Sequence, residues 1–311
     1  MLQKWNCKNS SYKINLDRVE VTCSYPEGLI SFRKFIVSNL NTQNFETFVV
    51  KNYETAKSVY KYIYQIDLIN EDGKNDVFGW IFWGSYQQTR QNIYINVANS
   101  MLYDEKMLNA LFDVMNKLNL GFLWYSRVDI ALDSTDNLGQ ILFDVFAHGS
   151  FTDFAGKEKE YNVVINNRKR KWTDRNNKDL IIMCPNPSRE NPLGEIQFLI
   201  KNSYGGELKT YDKAKEVKEQ SPYKKYTLFE GSDKCFRCEL SFIGLKAVRE
   251  VLGELKFDTI RNDNLKTLFD KAFKRFFYVS YTGKNRKTTQ ENPFDFYDSV
   301  YKNFGKLKKY S

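Results

Sequence analysis

The segment ELKTYDKAKE at 207–216 places a tyrosine between two lysines at alternate positions. In an extended strand Lys209, Tyr211 and Lys213 share one face, and Leu208, Thr210 and Asp212 the other. Cations beside a phenol lower the cost of forming phenolate and can hold a phosphate near its oxygen. Attack on phosphorus is therefore one chemistry open to this face. A half-buried tyrosine flanked by solubilising lysines accounts for the same pattern.

Two other strand-like runs carry carboxylates in the same alternating fashion. RVDIALD at 127–133 sets Arg127, Asp129, Ala131 and Asp133 against Val128, Ile130 and Leu132, and FRCELSF at 236–242 sets Arg237, Glu239 and Ser241 against Phe236, Cys238, Leu240 and Phe242. A solvated outer face is the ordinary reading of one such strand. If the two strands share a sheet, Asp129, Asp133 and Glu239 converge. Carboxylates at short range repel unless a cation neutralises them, and Mg²⁺ or Mn²⁺ takes oxygen ligands of this kind.

The rest of the inventory narrows the chemistry. His148 is the sole histidine, which argues against histidine-rich zinc sites and most Ser-His or Cys-His constellations. Five cysteines are scattered through the chain, and Cys235 and Cys238 form a C-x-x-C without a second pair. Residues three apart on a strand point to opposite sides, so this pair is a poor zinc site. Lys and Arg number 47 against 38 Asp and Glu, a net charge of +9 that favours a polyanionic partner, nucleic acid above all. A modestly basic protein that binds no polyanion fits the same figure. The opening MLQKWNCKNSS has no apolar core of signal-peptide length and no run is long enough to span a membrane, so a cytoplasmic, membrane-free protein is expected.

The elements that must position these residues are a mixture. Arg18–Ser24, 77–84, 92–97 and 123–134 read as strands, as do YNVVIN, DLIIMC, EIQFLI, ELKTY and FRCELSF. Helical spacing is expected over Tyr53–Tyr64, from Asp104 to Leu118, around Asn137–Phe146, from Lys213, over Gly244–Leu252 and over Asn264–Phe277. The expected class is α+β, with mostly antiparallel sheets flanked by helices. The similar order of elements in the two halves suggests a pseudo-duplicated arrangement, followed by a helical C-terminal region. The expected division is an N-terminal α+β subdomain at 1–120, a domain with the acidic strands and the tyrosine at 121–255, and a basic helical region at 256–311.

The ordered set RVDIALD, FLIKNSYGGELKTYDKAKE and FRCELSF resembles the replication initiation factors of the Rep_trans family, which includes rolling-circle plasmid initiators and relaxases of some conjugative elements. The family pattern is a strand with Arg-x-Asp-Leu-Ala-x-Asp, an aromatic-rich strand and Gly-Ser turn, a Tyr-Asn/Asp-Lys segment with trailing charges, and a strand with Arg-x-Glu. The resemblance runs over about 121–243. One departure is Ile200-Lys201-Asn202-Ser203, where members often have Tyr-Ile-Gly-Ser.

The resemblance implies sequence-specific nicking of one DNA strand and strand transfer, initiating rolling-circle replication or conjugative transfer. Tyr211 would be the nucleophile and form a 5′-phosphotyrosine, with Lys213 a phosphate neighbour. Asp129 and Glu239 would hold Mg²⁺ or Mn²⁺, with Asp133 a further ligand. The implied partners are origin DNA in single-stranded or hairpin form, a host helicase and a second copy of the chain. A non-catalytic DNA- or RNA-binding module and a metal-dependent phosphodiesterase without a covalent intermediate are the alternatives.

The binding surface is expected in NNRKRKWTDRNNK, where Arg168, Lys169, Arg170 and Lys171 stand beside Trp172. Such charges follow a phosphate backbone, and the indole can stack on an unpaired base. Lys209 is a further phosphate contact. YTGKNRKTTQ at 281–290 is a second basic segment of the same kind, and a short solvated loop accounts for either.

Overall fold

The computed structural model describes residues 5–7, 10–40, 45–53, 60–70, 75–85, 92–135, 137, 150–152, 158–165, 168–170, 180–183, 197–201, 205–220, 234–282 and 288–290. The strands in chain order are β1 (Trp5–Cys7), β2 (Ser10–Ser24), β3 (Phe48–Asn52), β4 (Tyr60–Ile69), β5 (Asn75–Ser85), β6 (Ile93–Val97), β7 (Gly121–Ser134) and β8 (Ser150–Thr152). They continue with β9 (Glu158–Ile165), β10 (Arg168–Arg170), β11 (Leu180–Met183), β12 (Gln197–Lys201), β13 (Gly206–Asp212), β14 (Phe236–Ile243), β15 (Phe277–Thr282) and β16 (Thr288–Gln290). The helices are α1 (Gly28–Leu40), α2 (Met107–Lys117), α3 (Lys213–Gln220), α4 (Gly244–Leu252) and α5 (Leu265–Phe276). The class is α+β, with antiparallel pairing at every strand pair whose register is defined.

The chain divides into two compact units. One comprises Met1–Asn15, Ile130–Phe242 and Asn264–Ser311, the other Leu16–Asp129 and Ile243–Asp263. The boundary therefore passes through β2 and β7.

In the first unit, β11, β12, β13 and β14 are hydrogen-bonded neighbours in that order, followed by the part of β7 after Asp129. A smaller sheet in the same unit runs β10-β9-β15-β16, with β8 also on β9. Helix α5 buries Leu265, Leu268, Phe269 and Ala272, the i, i+3, i+4, i+7 stripe of an amphipathic helix.

In the second unit, β2, β6, β5, β4 and β3 are neighbours in that order. Val19, Val21 and Cys23 of β2 are fully buried at alternate positions, with Ile81 and Ile95 on the neighbouring strands. Val21 lies directly opposite Ile95, and Ile95 opposite Ile81, so these side chains share a face. Helix α1 adds Phe32 and Ile36 to the core, and Phe32 meets Trp83 edge-on at 5.0 Å. Burying an apolar side chain of this size contributes about 1.5–3 kcal/mol. Helix α2 buries Met107, Leu111, Val114 and Met115, while Phe112, expected on the same face, is exposed with its ring 5.5 Å from that of Phe257.

Three sequence expectations are corrected. Tyr60–Tyr64, expected in a helix over Tyr53–Tyr64, instead open β4, which pairs with β3 on one side and β5 on the other, while 54–59 lie outside the described residues. A short apolar and aromatic run fits either periodicity, and here neighbouring strands satisfy its backbone. Arg168–Arg170, expected in a basic loop, form β10 against Val163–Ile165 of β9. The C-terminal region expected to be helical carries β15 and β16 after α5. The helix expected around Asn137–Phe146 lies outside the described residues, Asn137 apart.

Candidate functional site

Tyr211 sits where β13 gives way to α3. Asp212 ends the strand and its Oδ1 accepts a hydrogen bond from the Lys215 backbone N–H at 2.9 Å. This is the N-cap role that a short acidic side chain performs for the first turn of a helix. The N–H groups of Lys213 and Ala214 donate to the Cys235 carbonyl at 2.8 and 3.1 Å, tying the strand–helix junction to the start of β14. The tyrosine is thus held at a backbone corner fixed on both sides.

The β13–β14 register sets Lys209 opposite Glu239, Tyr211 opposite Arg237 and Glu207 opposite Ser241. Directly paired residues of an antiparallel ladder point to the same side. The Tyr211 hydroxyl donates to Glu239 Oε2 at 3.2 Å, and Ser241 donates to Glu239 Oε1 at 3.3 Å. Lys209 Nζ is 3.5 Å from Glu239 Oε1. The Lys213 ammonium lies 5.6 Å from the Tyr211 ring centroid and is ion-paired with Glu216. Tyr211 and Lys209 are half-buried, whereas Glu239 and Ser241 are buried. On the opposite side Leu208, Thr210, Cys238, Leu240 and Phe242 are all buried.

The polar face is therefore not the solvated surface that strand alternation suggests. Arg237 and Asp133 are completely buried and meet through two bonds, Nε to Oδ1 at 2.6 Å and Nη2 to Oδ2 at 2.8 Å. Asn15 donates to Asp133 Oδ2 at 3.3 Å. A two-point guanidinium–carboxylate pair is among the stronger hydrogen-bonded contacts, and burial makes the loss of either partner costly.

No protein-family model matches the chain, and no curated protein matches it. The reading of the site stands on its own geometry.

Tyr211, Glu239, Lys209 and Lys213 are brought together within the first unit. Asp133 belongs to that unit too, through Arg237. Asp129 belongs to the second unit, where Arg127 grips it with Nε at 3.0 and 3.1 Å from the two oxygens and Nη2 at 2.7 Å. Each of the three carboxylates considered as metal ligands is thus matched by a cation of its own: Arg127, Arg237 or Lys209. Both oxygens of each accept from protein donors. Among the described residues no group of three or more His, Cys, Asp or Glu is placed to hold a metal ion. This donor set does not fit a divalent cation in the arrangement it has.

Cys235 and Cys238 are buried free thiols. Burial pushes the Cys235 thiol well above its ordinary range, with the Asp133 charge adding to the effect, so it is a poor nucleophile at neutral pH. Of the basic segment expected to contact DNA, only the backbone of Arg168, Lys169 and Arg170 is described, whereas Lys209, the further expected phosphate contact, is paired with Glu239. Lys171, Trp172 and His148 lie outside the described residues.

Sequence reasoning missed the role of the arginines. Arg127 and Arg237 each stand two residues before a carboxylate, in RVD and RCE, and serve as neutralising charges within the polar face. For Arg127 the signal is the Arg-x-Asp spacing itself, since i and i+2 on a strand share a side. Arg127 pairs along its own strand, but Arg237 pairs across to Asp133, which only strand order could reveal.

Proposed function

We propose that the chain nicks single-stranded DNA and transfers the cut strand through Tyr211. The observation that carries this reading is the Tyr211 hydroxyl, half-buried at a fixed strand–helix corner and hydrogen-bonded to the buried Glu239 carboxylate, with Lys209 and Lys213 beside it. In the proposed step the Tyr211 oxygen attacks phosphorus in line, the bond from phosphorus to the 3′ oxygen breaks, and a 3′-hydroxyl leaves. The 5′ end remains joined to Tyr211. Glu239 is the group in reach of the phenolic proton, and Lys209 and Lys213 lie where they can offset charge on the phosphoryl oxygens. The reverse attack by a 3′-hydroxyl reseals or transfers the strand without ATP. The carboxylates as arranged support no metal-dependent step, and none is part of the proposal.

A second reading is favoured by one observation. All three carboxylates are satisfied by cations, as they are in a purely structural polar layer, and this fits a nucleic-acid-binding module in which Tyr211 only packs.

Labelled single-stranded DNA separates the two. With or without added Mg²⁺ or Mn²⁺, wild-type protein is expected to form a covalent adduct that survives denaturing electrophoresis. Tyr211→Phe keeps the ring and removes the oxygen, so it should abolish the adduct while leaving the fold and DNA binding in place. Cleavage without an adduct would assign attack to water. Binding without cleavage would assign the module reading.

A further inference from the structure

The second unit carries a cluster that the tyrosine chemistry does not use. Arg33 on α1 and Lys61 on β4 both reach the ring of Tyr62. The Arg33 guanidinium carbon is 4.8 Å from its centroid and the Lys61 ammonium 5.5 Å. The ring is held from within the core: it stacks on Trp83 at 5.4 Å, and Trp83 stacks on Tyr64 at 4.7 Å. Gly84, at φ +67°, makes room for it, because a Cβ there would stand 2.9 Å from the Tyr62 ring.

One cation over a partly exposed tyrosine contributes about 0.5–1 kcal/mol and needs no further explanation. Two cations gathered on one ring do need one. They repel each other within a distance comparable to the roughly 10 Å screening length at 0.1 M salt. Among the described residues neither has a carboxylate partner. Helix α1 contains no Asp or Glu, and Lys34, next to Arg33, is exposed as well. The same sheet pairs its charge elsewhere: Lys51 on β3 meets the buried Asp67 at 2.6 Å.

We propose that Arg33 and Lys61, gathered on Tyr62, form a contact site for the phosphodiester backbone of nucleic acid. The two cations meet the phosphodiester backbone, which relieves their mutual repulsion. The site lies within the second unit and does not depend on Tyr211 being a nucleophile.

The test uses the full chain with Tyr211→Phe, so that binding is read without cleavage. Affinity for a fluorescein-labelled oligothymidylate is followed by anisotropy over a salt series. Arg33→Gln with Lys61→Gln should weaken binding and lower the log–log salt slope by up to ~0.7 for each lost phosphate contact. Lys51→Gln, which removes a charge already paired, should leave the slope unchanged. An unchanged slope in the double variant, or an equal drop with Lys51→Gln, overturns the proposal. A second measurement needs no substitution at the site. A 5-iodouracil-substituted oligonucleotide, photocrosslinked to the protein, should label the tryptic peptide YIYQIDLINEDGK, and labelling confined to other peptides overturns the proposal. Failure of the adduct assay with a positive slope change would remove the nicking reading and leave this site standing.

Discussion

The two units fill the space beside their strands by different means. In the first, one side of the β13–β14 ladder is apolar, and the other is a buried polar layer in which Asp133 meets Arg237 and Glu239 meets Tyr211, Ser241 and Lys209. In the second, Trp83 stacks on Tyr62 and Tyr64 with Phe32 on its edge, and the buried carboxylates Asp67 and Asp129 each pair with a single cation, Lys51 or Arg127, that keeps some exposure to water. A buried ionic layer depends on each charge having its partner, because one left unmatched in low dielectric is heavily penalised. An aromatic core depends on volume and shape. The first unit should therefore be sensitive to single charge removals and tolerant of matched pairs, and the second sensitive to added or lost bulk.

The largest effect should come from Arg237→Met, which leaves Asp133 buried without its cation. We expect a loss of about 3–5 kcal/mol in urea unfolding. Arg237→Met combined with Asp133→Leu removes both charges and should recover most of that loss. A double variant no better than the single one would mean that the layer is held by shape, as in the second unit.

A smaller cost is expected from Gly79→Ala in β5. A Cβ there would stand 2.2 Å from the Asn96 carbonyl oxygen on β6, so one strand must shift. Overpacking of this kind costs about 1–3 kcal/mol, read as a lower midpoint of denaturant unfolding. An unaltered midpoint would show that the β5–β6 pair yields more easily than a close-packed sheet should.

The smallest effect concerns pH and both units. Burial raises the Cys23 thiol from its ordinary 9.0 to about 12, and it also raises the Tyr125 phenol and the Cys235 thiol. These acids are held neutral in the folded state. The stability they contribute is complete below their unfolded values and is lost as pH rises through the folded ones. Thermal midpoints should therefore fall above about pH 9, and Cys23→Val should fall less steeply than wild type over that range. Parallel curves for the two proteins would show that Cys23 ionises as freely when folded as when unfolded.

Much of the local structure was legible in the chain. The alternation in FRCELSF and ELKTYDK assigned Arg237, Glu239, Lys209 and Tyr211 to one side and Leu240, Cys238 and Leu208 to the other, and the β13–β14 register agrees. The helix expected from Lys213 begins there as α3. The segment around Tyr60–Tyr64 was not legible, because a few aromatic residues satisfy either period and only the flanking strands choose between them. Burial was not legible either. A carboxylate every second residue looks the same whether water or an arginine lies beside it.

The amino-acid sequence by itself determined which residues share a face, where Tyr211 meets the start of a helix, and that the chain carries excess positive charge. These follow from the two-residue period of a strand, the helical spacing that begins at Lys213 and a count of charges. The tertiary structure alone decided that Asp133 belongs to Arg237, 104 positions away, and that Glu239 belongs to Tyr211 and Lys209. It also decided that Arg33 and Lys61 meet on one ring. The reason is physical: partnership between charges depends on strand order and on how deeply each pair is removed from water, and neither is encoded in the spacing of residues along one strand.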